Sequence, residues 1–272
     1  MVERLYVLDC GGFSLRYSFL YQETAELFGR YITCDDNEAA YSVIRATPKS
    51  LEESRWLVDE EEVSKPFLEF QTLMLATGNA LLTHGRALFH GAALFWKERA
   101  WIITAPSGTG KTTQLRLWMK RLRGDAKIIN GDKPILECRS DGTVWVWSSP
   151  WRGKEKMGKA GIGAPLGGII LLEQGQYNKI DRMKPSDAVI PLFVEFISIP
   201  EDAVQIRGQA NILEQMLNCV PVWKLVNTGD EASAALTLRT ICNYLGVTDE
   251  RVECATGNQS HENLRCLSVD RG

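Results

Sequence analysis

Between Trp101 and Leu122 the chain passes from an apolar run, Trp101-Ile102-Ile103-Thr104-Ala105, through small residues, Pro106-Ser107-Gly108-Thr109-Gly110, to Lys111-Thr112-Thr113 at the head of a helical pattern. That helix puts Leu115, Trp118 and Leu122 on one face, with Arg116, Lys120 and Arg123 largely elsewhere. A buried strand, a tight loop of small residues and an amphipathic helix form the context a phosphate-binding loop requires. Small residues let successive backbone N–H groups point inward at phosphate oxygens, and the helix N-terminus adds unpaired donors and partial positive charge. Ser107, Gly108, Thr109, Gly110, Lys111, Thr112 and Thr113 are therefore the candidate nucleotide-binding residues. In that role Lys111 reaches the β- and γ-phosphates and the Thr112 hydroxyl ligates Mg²⁺. Ala105 stands where the strict G-x-x-x-x-G-K-[ST] pattern has its first glycine, a departure of one methyl group.

Around this unit the pattern alternates. Strands are predicted over 88–95, 101–105, 127–130, 134–138, 143–148, 168–173 and 222–226, and helices over 111–122, 201–218 and 231–245. The last helix opens with Thr228-Gly229-Asp230-Glu231, which spells a Thr-x-x-Glu capping box. A further helical stretch covers 67–82, interrupted by Gly78, and the first 65 residues mix short β-like stretches with an acidic run and carry no recognisable chemistry. The expectation is an α/β fold with a mixed sheet flanked by helices, preceded by a small N-terminal α+β subdomain. The division is residues 1–84 as that subdomain, 85–250 as the phosphate-loop domain and 251–272 as a tail.

Composition excludes several classes. Lys and Arg total 31 against 34 Asp and Glu, a formal charge of −3, which lacks the surplus of cations a dedicated nucleic-acid binder needs. The longest apolar runs, such as Ala92 to Trp96, fall far short of the ~20 residues that cross a bilayer. With a run of only four apolar residues, Leu5 to Leu8, before Asp9, no secretory signal is expected and the chain reads as cytoplasmic, with neither nucleic acid nor membrane as partner. The seven cysteines form no C-x-x-C, and His84, His90 and His261 offer no metal-ligand spacing, so the cysteines read as incidental thiols.

A guanine-specificity match, Asn178-Lys179-Ile180-Asp181, lies five residues beyond the strand predicted to end at Glu173, in a polar stretch, and reads as a solvated turn. The alternative with better support comes from three ordered motifs. His90-Gly91-Ala92-Ala93, then Ala105 through Thr113, then Ile128-Ile129-Asn130-Gly131-Asp132 resemble the C-terminal kinase domain of HPr kinase/phosphorylase and its relatives. The loop Ser107 to Thr113 is also similar to that of phosphoenolpyruvate carboxykinase, which shares the nucleotide-binding fold. The resemblance spans roughly residues 85–245.

That resemblance implies an HPr kinase-like, phosphoenolpyruvate carboxykinase-like core that uses ATP and Mg²⁺ to phosphorylate a hydroxyl. It assigns Lys111 and Thr112 to phosphate and metal, and places Asp132 at the second position of the family's Asp-Asp pair, as base or as metal ligand. His90 matches an active-site histidine, and Arg152 the family's arginine before a glycine. From the residues alone, Asp132 ends a strand expected to run beside the loop strand, so it would project at the same edge as the phosphates. Arg152 and Lys154 follow Trp145-Val146-Trp147-Ser148-Ser149-Pro150-Trp151 in an exit loop where cations could spread phosphoryl charge. The glycine-rich stretch 158–168 is expected to be a mobile loop on the acceptor side or a plain linker. Two departures stand: Gly131 occupies the first Asp position, and no arginine-rich signature is recognisable before the C-terminal helices, which weighs against the phosphorylase reaction and HPr itself. The expected acceptor is a serine hydroxyl on a peptide or protein, with lasso-peptide precursors, which some relatives phosphorylate, the preferred case. A small-molecule kinase and a non-catalytic nucleotide-binding regulator are the rivals. The sequence leaves adenine or guanine preference and oligomeric state open, a homo-oligomer included.

Overall fold

The computed structural model describes residues 5–9, 13–35, 43–58 and 62–253. The fold is mixed α/β with two sheets. The first combines β1 (Leu5–Asp9), β2 (Ser14–Ser18), β3 (Ile32–Asp35) and β4 (Val43–Arg45) in the order β3-β1-β2-β4, with β2 and β4 parallel and the other pairs antiparallel. Helices α1 (Gln22–Phe28), α2 (Pro48–Glu53) and α3 (Lys65–Leu82) accompany it. Helix α1 has no N-cap side chain of its own. The buried Glu69 of α3 supplies one, accepting from the backbone N–H groups of Leu20 and Tyr21 at 2.6 and 3.1 Å and from the Thr24 hydroxyl.

The second sheet is built from β5 (Arg86–Leu88), β6 (Ala92–Trp96), β7 (Arg99–Thr104), β8 (Lys127–Asn130), β9 (Ile135–Cys138), β10 (Val144–Trp147), β11 (Gly163–Gln174), β12 (Lys179–Arg182) and β13 (Val222–Asn227). Its order is β5-β9-β10-β11-β7-β6-β8, with β13 beside β11 and β12 beside β13. Along β7, Ala100 and Ile102 enter one core, while Trp101 and Ile103 enter the other, the two-residue alternation of a strand buried on both faces. The first core is covered by α5 (Pro185–Phe193) and α6 (Ala203–Cys219), the second by α4 (Lys111–Leu122) and α7 (Glu231–Leu245), with α8 (Glu250–Glu253) packed at the end of α4.

Several expectations change. The single strand over 88–95 is two, β5 and β6, which pair with different neighbours and are separated by Phe89-His90-Gly91. The stretch 158–168 is not a loop throughout, because β11 begins at Gly163. A Cβ on Gly163 would sit 2.1 Å from the Trp147 ring, and one on Gly168 2.6 Å from the Trp223 ring, so these glycines admit tryptophans where the sequence suggested mobility. Asn178 to Asp181 is the edge of the sheet, leading into β12, with Asn178 Oδ1 accepting from Thr228 N–H at 2.9 Å. That contact occupies Thr228, and the cap of α7 is Asp230, whose carboxylate accepts from Ser233 N–H. Among the described residues, no helix is long and apolar enough to cross a membrane. Cys138 and Cys219 are free thiols; the tail expected from 251 lies outside the described residues beyond α8, as do Cys254, His261 and Cys266.

Candidate active site

Strand β6 runs antiparallel to both β7 and β8, so β7 and β8 are parallel to each other with β6 between them. The expectation that β8 lies directly beside β7 is corrected by that insertion, yet its consequence survives. The C-terminal ends of β7 and β8 and the N-terminal end of β6 share one sheet edge, and each delivers part of the site.

From β7 comes the loop. Ala105 is buried, Pro106, Ser107 and Gly108 are exposed, and the chain turns into α4 at Gly110. Gly108 (φ +80°) and Gly110 (φ +106°) lie in the left-handed region, and an added Cβ would meet nothing within 4 Å at either. Conformation rather than space therefore demands glycine there. The Thr109 hydroxyl closes the turn on Pro106 O at 2.8 Å, and Gln174 at the end of β11 reaches Gly108 O at 3.4 Å. Lys111, buried in the first turn of α4, donates through Nζ to Ala105 O at 2.7 Å and Pro106 O at 3.3 Å. Burial pushes its pKa down; Glu195 and Asp132 oppose that by attraction, and Lys133 adds to it by repulsion, so these four groups share one electrostatic neighbourhood. Thr112 is half-buried and Thr113 exposed on the same turn.

From β8 comes Asp132. The fully buried Asn130 accepts through Oδ1 from the N–H groups of Asp132 and Lys133, both at 2.8 Å, and donates to Ser149 O at 3.0 Å. This fixes the turn that carries the acid. Gly131 is packed beneath the following loop: an added Cβ would lie 2.9 Å from Arg152 O and 3.0 Å from Met157 Cβ. There is no room for a carboxylate at 131 in this arrangement.

From the break before β6 comes His90. Its N–H donates to Glu195 O at 2.7 Å, its carbonyl accepts from the Thr104 hydroxyl at 2.7 Å, and Gly91 N–H donates to Asp132 O at 2.7 Å. The imidazole bridges two acids, with Nδ1 2.8 Å from Glu195 Oε2 and Nε2 3.5 Å from Asp132 Oδ1. A carboxylate can only accept, so the Nδ1 proton belongs to the bond with Glu195, a tautomer assigned from geometry. The second oxygen of Asp132 pairs with Lys133 Nζ.

Among solved structures the chain is similar to the Hpr(Ser) kinase/phosphatase from Coxiella burnetii. The likeness, with a TM-score of 0.27 at 9% identity over 48% of this chain and 91% of that one, is a distant one of fold. No family model and no curated protein matches.

The structure thus brings Lys111, Asp132 and His90 together and adds Glu195 and Lys133, which the sequence reading missed. Glu195 sits in Leu192-Phe193-Val194-Glu195-Phe196-Ile197, and its one signal was a lone acid in an apolar run. Arg152 is placed differently from expectation. Its guanidinium donates to Lys156 O at 3.1 Å and Gly158 O at 3.4 Å and lies 5.3 Å from the centre of the Tyr31 ring, so it braces its own loop against the turn that leads into β3. Lys154 is exposed on that loop. The loop nevertheless borders the site, because a Cβ on Gly153 would come within 3.1 Å of Asp132 Cβ, and Glu155 ties it to α4 through Arg116 at 2.6 Å.

Proposed function

We propose that this chain is a kinase that moves the γ-phosphate of ATP onto a hydroxyl, with a serine of a peptide or protein as the acceptor and a lasso-peptide precursor as the preferred case. The observation that carries the reading is the convergence of Lys111, Asp132 and the His90–Glu195 pair on the edge where the loop enters α4. Mg²⁺ would supply charge neutralisation across the β- and γ-phosphates. Its protein ligands would be the Thr112 hydroxyl and the Asp132 carboxylate. Among the described residues no cluster of three or more His, Cys, Asp or Glu side chains is arranged to hold a metal ion, and a small hard cation of this kind takes its remaining ligands from phosphate and water.

The loop N–H groups and Lys111 hold the phosphates, Lys111 exchanging the carbonyls of Ala105 and Pro106 for phosphate oxygens. Asp132 receives the proton as the acceptor oxygen bonds to phosphorus and the bond to the ADP oxygen breaks. His90, held by Glu195 through Nδ1, orients the Asp132 carboxylate when Nε2 also carries a proton. The N-terminal unit, residues 1–84, recognises the acceptor in this reading.

The test follows label from γ-labelled ATP with Mg²⁺ into a size-fractionated extract of the native source. Lys111→Ala should lose nucleotide binding and transfer, and Asp132→Asn should keep binding but lose transfer by at least about 10²-fold. Near-wild-type transfer by Asp132→Asn would sink the base assignment, and label on a small metabolite would replace the peptide acceptor. One observation favours a second reading, a nucleotide-gated regulator: both Asp132 oxygens already face cationic or potentially cationic partners. Label remaining in ATP and free phosphate alone would select it.

A further inference from the structure

Lys133 follows the acid directly, and no motif marks it. Its backbone is pinned on both sides: the N–H donates to Asn130 Oδ1 at 2.8 Å and to Trp151 O at 3.1 Å, and the carbonyl accepts from the Ser149 hydroxyl. The side chain is only 19% exposed, and its ammonium turns back onto Asp132 Oδ2. It also stands close enough to Lys111 for the two cations to repel, after burial has already disfavoured the Lys111 charge. Holding two partly buried ammonium groups in one neighbourhood is costly unless anions share the space. Asp132 and Glu195 balance the two ammonium groups in number, but Glu195 is engaged with His90 and Asp132 serves the acceptor in the kinase reading. Arg152, the expected second cation, is engaged with Lys156, Gly158 and Tyr31.

We propose that Lys133 is a catalytic residue, its ammonium leaving Asp132 Oδ2 to hold an oxygen of the transferring phosphoryl group across from Lys111. This rests on the kinase reading. A lysine suits the exchange, being a compact charge with three donors on a flexible stem. One movement then does two things: it places positive charge where the phosphoryl group passes, and it frees an Asp132 oxygen for the acceptor proton or the metal. A cation that helps the transferring group should act far more strongly on a mimic of the transition state than on the product nucleotide.

The experiment measures binding of Mg-ADP to the purified full chain by calorimetry, with and without aluminium fluoride, which takes the place of the phosphoryl group in transit. Wild type should bind Mg-ADP about 10²-fold more tightly when fluoride is present. Lys133→Met should lose at least about tenfold of that gain while its Mg-ADP affinity stays within about threefold of wild type, and Lys133→Arg should recover part of it. Retained Mg-ADP affinity also shows that Lys133→Met is folded. A gain in Lys133→Met equal to that of wild type overturns the assignment and leaves the kinase reading standing, as does a loss of Mg-ADP affinity as complete as that of Lys111→Ala. If wild type binds Mg-ADP and gains nothing from aluminium fluoride, the kinase reading falls and the role of Lys133 falls with it.

Discussion

Glu195 is buried, touches His90 through both its backbone and its carboxylate, and stands one residue removed from Asp132. In the kinase reading it is a positioning residue: by holding Nδ1 it turns Nε2 toward the acid. Glu195→Gln keeps the size and can still accept at one atom, but it can also present an amide N–H that meets the Nδ1 proton. Its transfer rate should fall by about tenfold, the lower end of what outer partners contribute to the groups they orient, with KM for ATP unchanged. A wild-type kcat would show that His90 needs no such support. At this scale Lys111, Thr112 and Asp132 could be singled out from the loop and strand that carry them, and His90 from the family resemblance alone, and the fold brings Lys111, Asp132 and His90 to one edge. Glu195 and Lys133 were not legible, because their roles arise from contacts across the fold: Glu195 lies 105 positions from its partner His90, and Lys133 turns toward a site that its own stretch does not announce.

At the scale of elements, periodicity placed α3, α4, α6, α7 and most strands of the larger sheet well but missed α1, α2, α5 and β12, and further errors came from glycines and caps. The stretch from Gly158 to Gly168 looked mobile because glycine was counted as freedom, whereas Gly163 and Gly168 exist to let rings lie against the strand. Gly163→Ala should destabilise the protein by about 1–3 kcal/mol, the usual cost of overpacking, because Trp147 must move and its indole N–H now reaches Glu137 at 2.7 Å. Urea melts would measure this, and an unchanged midpoint would show that the ring has somewhere else to go. The capping box at Thr228 failed for a comparable reason: Asn178, from a distant strand edge, had already engaged that threonine. The break between β5 and β6 had no signal beyond a histidine and a glycine, since both halves are apolar.

For the whole molecule, the expected separation of an N-terminal unit meets a shared core. Leu88, Ile135 and Trp151 pack with Leu8, Tyr17, Phe28 and Phe70, and Trp151 Nε1 donates to Phe70 O at 3.1 Å. Removing the first 65 residues would therefore bare part of the larger sheet's own packing, which makes a point substitution the cleaner probe. Phe28 is fully buried, with its ring centre 5.5 Å from that of Trp151 and 5.1 Å from that of Phe70. Phe28→Ala should cost about 3–5 kcal/mol and move a single unfolding transition to lower denaturant. Two separate transitions, with only one displaced, would show the halves to be independent.

The junction at Phe89-His90-Gly91 has a further consequence. Two main-chain bonds, to Glu195 and Asp132, and one from the Thr104 hydroxyl, each of 2.7 Å, hold the residues there. The relative placement of the strand ends is thus set largely by main chain, and the side chains are mounted on it. Such a frame works as a socket: what is plugged into it can be exchanged one residue at a time while the mounting holds, so a change of chemistry at this edge asks for replacement of fittings and leaves the frame as it is.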